Sequence, residues 1–202
     1  WERMIAQGKL FCARYLPLVA ETFPNNFKGV NPEQFYEAVN VSGPSLIRVE
    51  ADEVTYPMHI ILRYELEKGL FDGSIQVEHL PEMWNAKMKE YLGVEPPTDT
   101  LGVLQDTHWS GGAFGYFPSY TLGAIYASQF YQALIRAEPG IEKQIEMGNL
   151  APVREWLGIQ IHQQGRLLSV PALVKRVTGE NLNPDHFLDY LKNKYRQIYR
   201  LN

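Results

Sequence analysis

A chain of 202 residues with 45% apolar and 12% aromatic content is long enough for one large domain or two small ones and can build a globular core. Its 19 basic and 23 acidic residues leave a net charge of −4 with neither sign gathered into a block, which argues against a nucleic-acid or membrane-surface partner. The single Cys12 excludes an intrachain disulfide, and no apolar stretch approaches the roughly 20 residues of a membrane span, so a reducing, cytoplasmic setting is favoured.

The opening "WERMIAQGKLF" carries no initiator Met and has a helical pattern already under way at Met4, Ile5 and Gly8, so it reads as the start of a C-terminal fragment. Asn31 then caps a helix, with Pro32 at its first position and Gln34 three residues on. "LIRVEAD" alternates Ile47, Val49 and Ala51 against Arg48, Glu50 and Asp52, which reads either as a short strand around 45–52 or as an extended lead into the next helix. That helix is "PMHIILRYELEKGLF", striped by Met58, Ile61, Leu62, Glu65 and Leu66. "LPEMWNAKMKEYLG" repeats the pattern with Trp84, Met88, Tyr91 and Leu92. Pro118 begins the longest helix, with Ile125, Phe130 and Leu134 among its buried candidates. "PVREWLGIQIHQQ", "VPALVKRV" closed by Gly179, and a helix opened by Asn183 and Pro184 complete the set. With no repeat and no linker rich in Gly, Ser and Pro, residues 1–202 read as a single, mainly α unit.

Familiar catalytic patterns are missing. The chain has no H-E-x-x-H, no C-x-x-C, no phosphate loop and no G-x-S-x-G. Of the five histidines, His59, His79, His162 and His186 read as structural or solvent-facing. His108 differs in its company. "GVLQDTHWSGGAFGYFPSY" sets Gln105, Asp106, His108 and Trp109 nearly side by side, then runs through three glycines into Tyr116, Pro118 and Tyr120.

Two of these clusters carry a resemblance. "IRVEAD" at 47–52 fits I-R-x-x-A-D, "GVLQDTHW" at 102–109 fits G-x-x-Q-D-x-H-W, and together they resemble signature motifs of the carboxypeptidase Taq family of zinc metallocarboxypeptidases. The resemblance covers nearly the whole chain. It implies a mostly helical fold, a homodimer, and release of single amino acids from the free C-termini of peptides with broad specificity. It also implies zinc, or another divalent ion such as cobalt, held by two histidines of H-E-x-x-H and a glutamate. All of these would lie before Trp1, since Glu2 does not match a ligand position, so this chain alone is expected to hold no metal and to show no peptidase activity.

By resemblance to the wider group of zinc peptidases, a histidine followed by a tyrosine near the start of a long helix stabilises the oxyanion, and His108 and Tyr120 fit. Such donors are commonly worth about 2.7 to 4 kcal/mol each. Asp106 could orient a histidine ring, with Gln105 and Tyr116 beside the substrate. Arg48 either pairs with Glu50, Asp52 or Glu53 or, as the motif implies, binds the substrate's α-carboxylate. The bland alternative is a core plug of Trp109, Phe114, Tyr116 and Phe117 in a non-catalytic helical interaction module.

Overall fold

The computed structural model describes residues Trp1–Leu201, and among them helices and turns form but no strand does. In chain order the helices are α1 (Glu2–Ile5), α2 (Lys9–Thr22), α3 (Pro24–Phe27), α4 (Pro32–Val39), α5 (Tyr56–Asp72) and α6 (Leu80–Leu92). They continue as α7 (Pro118–Ala137), α8 (Ile141–Glu146), α9 (Ala151–Gln160), α10 (Val170–Thr178) and α11 (Asp185–Tyr199).

Local chemistry sets most of the ends. At Asn31 both halves of a capping box form: Oδ1 accepts from the Gln34 N–H at 2.9 Å, and Gln34 Oε1 accepts from the Asn31 N–H at 3.0 Å. Asn183 acts one residue earlier than expected, taking the Asp185 N–H at 3.0 Å while Pro184 holds the cap position of α11. Gly73, Gly93 and Gly179 close α5, α6 and α10 in the left-handed region that glycine enters without a Cβ clash.

The single unit expected from the sequence is built as two compact units: Trp1–Val41 with the chain from Ala124 onward, and Ser42–Gly123. The second boundary falls inside α7, where composition leaves no linker signal. In the first unit, Phe130, Leu134, Ile141, Ile145, Val153, Trp156 and Val174 form the core. In the second, α5 packs on α6 through Leu62, Leu66, Trp84, Met88 and Leu92, each side chain contributing about 1.5–3 kcal/mol of burial.

The strand reading of 45–52 is corrected. Arg48–Glu50 is one turn of 3-10 helix, which buries Arg48 and Ala51 and leaves Val49 70% exposed. A three-residue period has replaced the two-residue one because Arg48 has partners to reach. The stripe on α5 also shifts: Ile61 lies toward solvent, Glu65 pairs with Lys87 and Tyr91 of α6, and the buried face includes His59, Arg63 and Glu67.

Candidate active site

All six site residues expected from the sequence fall in the second unit, on the 3-10 turn at 48, the loop before α7, and the first turn of α7. Glycine shapes that loop. Gly112 and Gly115 take φ of +76° and +71°, where a side chain would be strained. The loop closes on Pro118 at the start of α7, and the Tyr120 N–H still bonds the Phe117 carbonyl at 3.1 Å, so Tyr120 rises from the first helical turn.

That placement brings His108 and Tyr120 together. The His108 Nε2 lies 3.0 Å from the Tyr120 hydroxyl, and the imidazole stacks against the buried Phe117 ring at a centroid distance of 4.4 Å. Both side chains are half-buried. Burial pushes the Tyr120 phenol above its ordinary value and outweighs the nearby Arg48 charge, so it keeps its proton at neutral pH. The group can therefore serve as an O–H donor.

Beneath the pair lies a charge network that rewrites three expectations. Arg48 does not pair with Glu50, Asp52 or Glu53; it grips Asp106, with Nη2 2.6 Å from Oδ1 and Nε 3.1 Å from Oδ2, and gives Nη1 to the Tyr56 hydroxyl at 2.9 Å. Its Nε and Nη2 edge, the one suited to a substrate carboxylate, is thus occupied from within. Asp106 does not hold the His108 ring, whose Nδ1 stands 3.8 Å from Oδ1 and has no hydrogen-bond partner. Its second oxygen instead takes Arg63 Nε at 2.8 Å. Gln105 is also turned inward, accepting from the Arg48 N–H and Arg63 Nη2 and donating to the carbonyls of Leu46 and Leu101. Tyr116 is the expected substrate neighbour left open, 50% exposed, its ring 5.4 Å from that of Tyr120. The core plug forms only in part: Phe117 is buried, while Phe114 and Tyr116 reach solvent.

The titration behaviour follows from burial and charge. Burial pushes the Asp106 carboxyl up, but the Arg48 hydrogen bonds and the Arg63 and Arg48 charges hold it below its ordinary value. Arg63, fully buried, is drawn down to about 10 by desolvation yet stays cationic at neutral pH. Two guanidiniums face one carboxylate, which leaves the cluster with one unit of positive charge. His59, fully buried, is held neutral: burial, then Arg63 and Arg48, lower it to about 4, against the smaller opposing pull of Asp106 and the Ser45 backbone.

Four neighbours of the site escape a sequence pattern built on apolar spacing. His59, Arg63 and Glu67 recur every four residues on one face of α5, and a polar stripe at that period is the signal that marks them. Tyr56 has no such signal. Among the described residues, no group of three His, Cys, Asp or Glu side chains comes together to hold a metal ion.

Comparison with known proteins places this geometry. Residues 1–195 match the family described as carboxypeptidase Taq (M32) metallopeptidase. The chain is 45% identical over 201 residues to carboxypeptidase 1 of Bacillus subtilis and 46% identical over 200 residues to thermostable carboxypeptidase 1 of Thermus thermophilus. These matches cover 100% and 98% of the chain but 40% and 39% of the relatives, so it spans about two fifths of their length. The M32 carboxypeptidase from Deinococcus radiodurans superposes with a TM-score of 0.96 at 37% identity, over 99% of this chain and 40% of that one. With its motifs, its helices and nearly its full length accounted for, the chain belongs to the carboxypeptidase Taq (M32) metallopeptidase family.

Proposed function

We propose that this chain forms the donor wall of a metallocarboxypeptidase that releases single amino acids from the free C-termini of peptides with broad specificity. The observation that carries the reading is the 3.0 Å contact between His108 Nε2 and the Tyr120 hydroxyl, in a half-buried setting where the phenol keeps its proton. If Nε2–H donates to the phenolic oxygen, the Tyr120 O–H is free to point at a second acceptor. The oxygen of an amide under attack by water gathers negative charge, and a donor already in place stabilises that charge without reorganisation.

Selection of a free C-terminus rests on the surplus positive charge of Arg48 and Arg63 over Asp106. Because the fork of Arg48 is occupied, it acts through its field rather than by a bidentate clamp, and Tyr116 is the exposed group beside the bound residue.

The described residues do not fit the metal that such a family implies. Zinc, or another divalent ion such as cobalt, belongs in this proposal to the remainder of the whole protein, as does assembly into a homodimer. A cytoplasmic setting is part of the proposal; no helix among the described residues is long and apolar enough to cross a membrane.

The test is mass spectrometry of peptides incubated with the whole protein. Stepwise loss of single residues from free-acid peptides, and little loss from C-terminally amidated ones, is expected. Internal cuts, or no cuts, would refute the reading.

A further inference from the structure

Glu67 takes no part in the chemistry above, yet its carboxylate is fully engaged. The residue is buried on α5, one turn beyond Arg63. One oxygen accepts the Trp109 indole N–H at 2.7 Å, and the other accepts the backbone N–H of Gly115. Arg63 meanwhile holds Gln105 and Asp106. One face of one helix therefore grips the loop at 105–106 and again at 109 and 115, and His108 lies between the grips.

The loop needs such a hold. Apart from single turns it has no regular structure between Asp106 and Pro118; turn bonds such as Ala113 N–H to the His108 carbonyl at 2.8 Å hold it locally, and contacts with α5 fix it to the rest of the unit. The His108 ring is held by Tyr120 at Nε2 and by the Phe117 face, while its Nδ1 has no hydrogen-bond partner, so its place also depends on where the loop backbone is set. The Trp109 ring, fixed by Glu67, packs edge-on against Trp84 at 6.3 Å and Phe117 at 5.9 Å, so the residue next to His108 is held on several sides.

We infer that Glu67 is a positioning residue for His108: by holding Trp109 and Gly115 together, it sets the imidazole where Nε2 meets the Tyr120 hydroxyl. The inference rests on the proposed reading of that pair. A misplacement of about 1 Å in such a group can lower turnover about a hundredfold. Glu67→Gln isolates the effect, since the amide keeps the shape but offers one oxygen and one NH2, leaving either the indole or the Gly115 N–H facing another donor.

The experiment compares wild type, Glu67→Gln, His108→Ala and the double variant of the whole protein, with NMR of labelled histidine and tryptophan beside steady-state kinetics. Glu67→Gln should shift the Trp109 indole and His108 ring signals and lower kcat at least about tenfold with KM nearly unchanged. It should add little to His108→Ala, as expected for residues acting through one path. A variant with a lower melting temperature, unmoved His108 signals and full kcat per folded molecule would overturn the inference. If Glu67→Gln does not fold, Trp109→Phe removes one of the two donors, and the same readings decide. A wild type with no peptidase activity would refute the functional reading alone, and the ring signals would still settle the role of Glu67.

Discussion

Arg48 and Asp106, 58 residues apart in sequence, meet through two nitrogens of the guanidinium, with Nη2 2.6 Å from Oδ1 and Nε 3.1 Å from Oδ2. Arg63 holds the same carboxylate from the other side, at 2.8 Å through its Nε. The ranking of substitutions follows from the charge count. Asp106→Asn strands two buried cations and should cost about 3–5 kcal/mol, the usual penalty for breaking a buried pair. Arg48→Met leaves Arg63 and Asp106 balanced and should cost less. Urea unfolding of the two variants gives the order, and a costlier Arg48→Met would contradict it.

A second expectation concerns pH. His59 is lowered from 6.5 to about 4 in the fold, so between those values the unfolded chain binds a proton that the folded one refuses. Stability should therefore fall as pH drops through that window, by on the order of 3 kcal/mol for this one group. Below it, protonation of Asp106 removes a further contribution, because a carboxyl held below its ordinary value stabilises the fold only while ionised. His59→Phe should flatten the thermal midpoint between pH 6.5 and 4, and an unchanged slope would mean that another group sets it.

At the other end of the chain, the Asn31 capping box gives a local prediction. Asn31→Ala removes one of its two bonds and should lower stability by about 1 kcal/mol, whereas Asn31→Ser should keep most of it. Calorimetry of the two variants decides whether the cap contributes as the geometry indicates.

The helices are legible in the sequence because they rest on local rules: prolines and glycines mark the ends; the sequence also singles out His108 and Tyr120, though not their contact at 3.0 Å. Arg63 and Glu67 do not stand out in an apolar stripe, because α5 turns charged groups inward to hold a loop some forty residues away. Of the two readings open for 45–52, a short strand or a lead into the next helix, the strand does not form, for a related reason. Its alternation is real in the sequence, but the turn there is set by Arg48 reaching Asp106, a partner that no local pattern names. Asp106 lies 3.8 Å from His108 Nδ1 and closer to two arginines, and neither arginine lies in the G-x-x-Q-D-x-H-W motif that marks Asp106 in the sequence.

In the proposed function the Tyr120 hydroxyl, set by His108, stabilises charge that develops only during reaction. Tyr120→Phe keeps the ring and removes the donor, so the most direct measurement is kcat, KM and thermal midpoint of this variant in the whole protein against wild type. Tyr120→Phe should lower kcat about a hundredfold or more with KM nearly unchanged and stability altered by only about 1 kcal/mol. Full turnover in a folded Tyr120→Phe protein would contradict it.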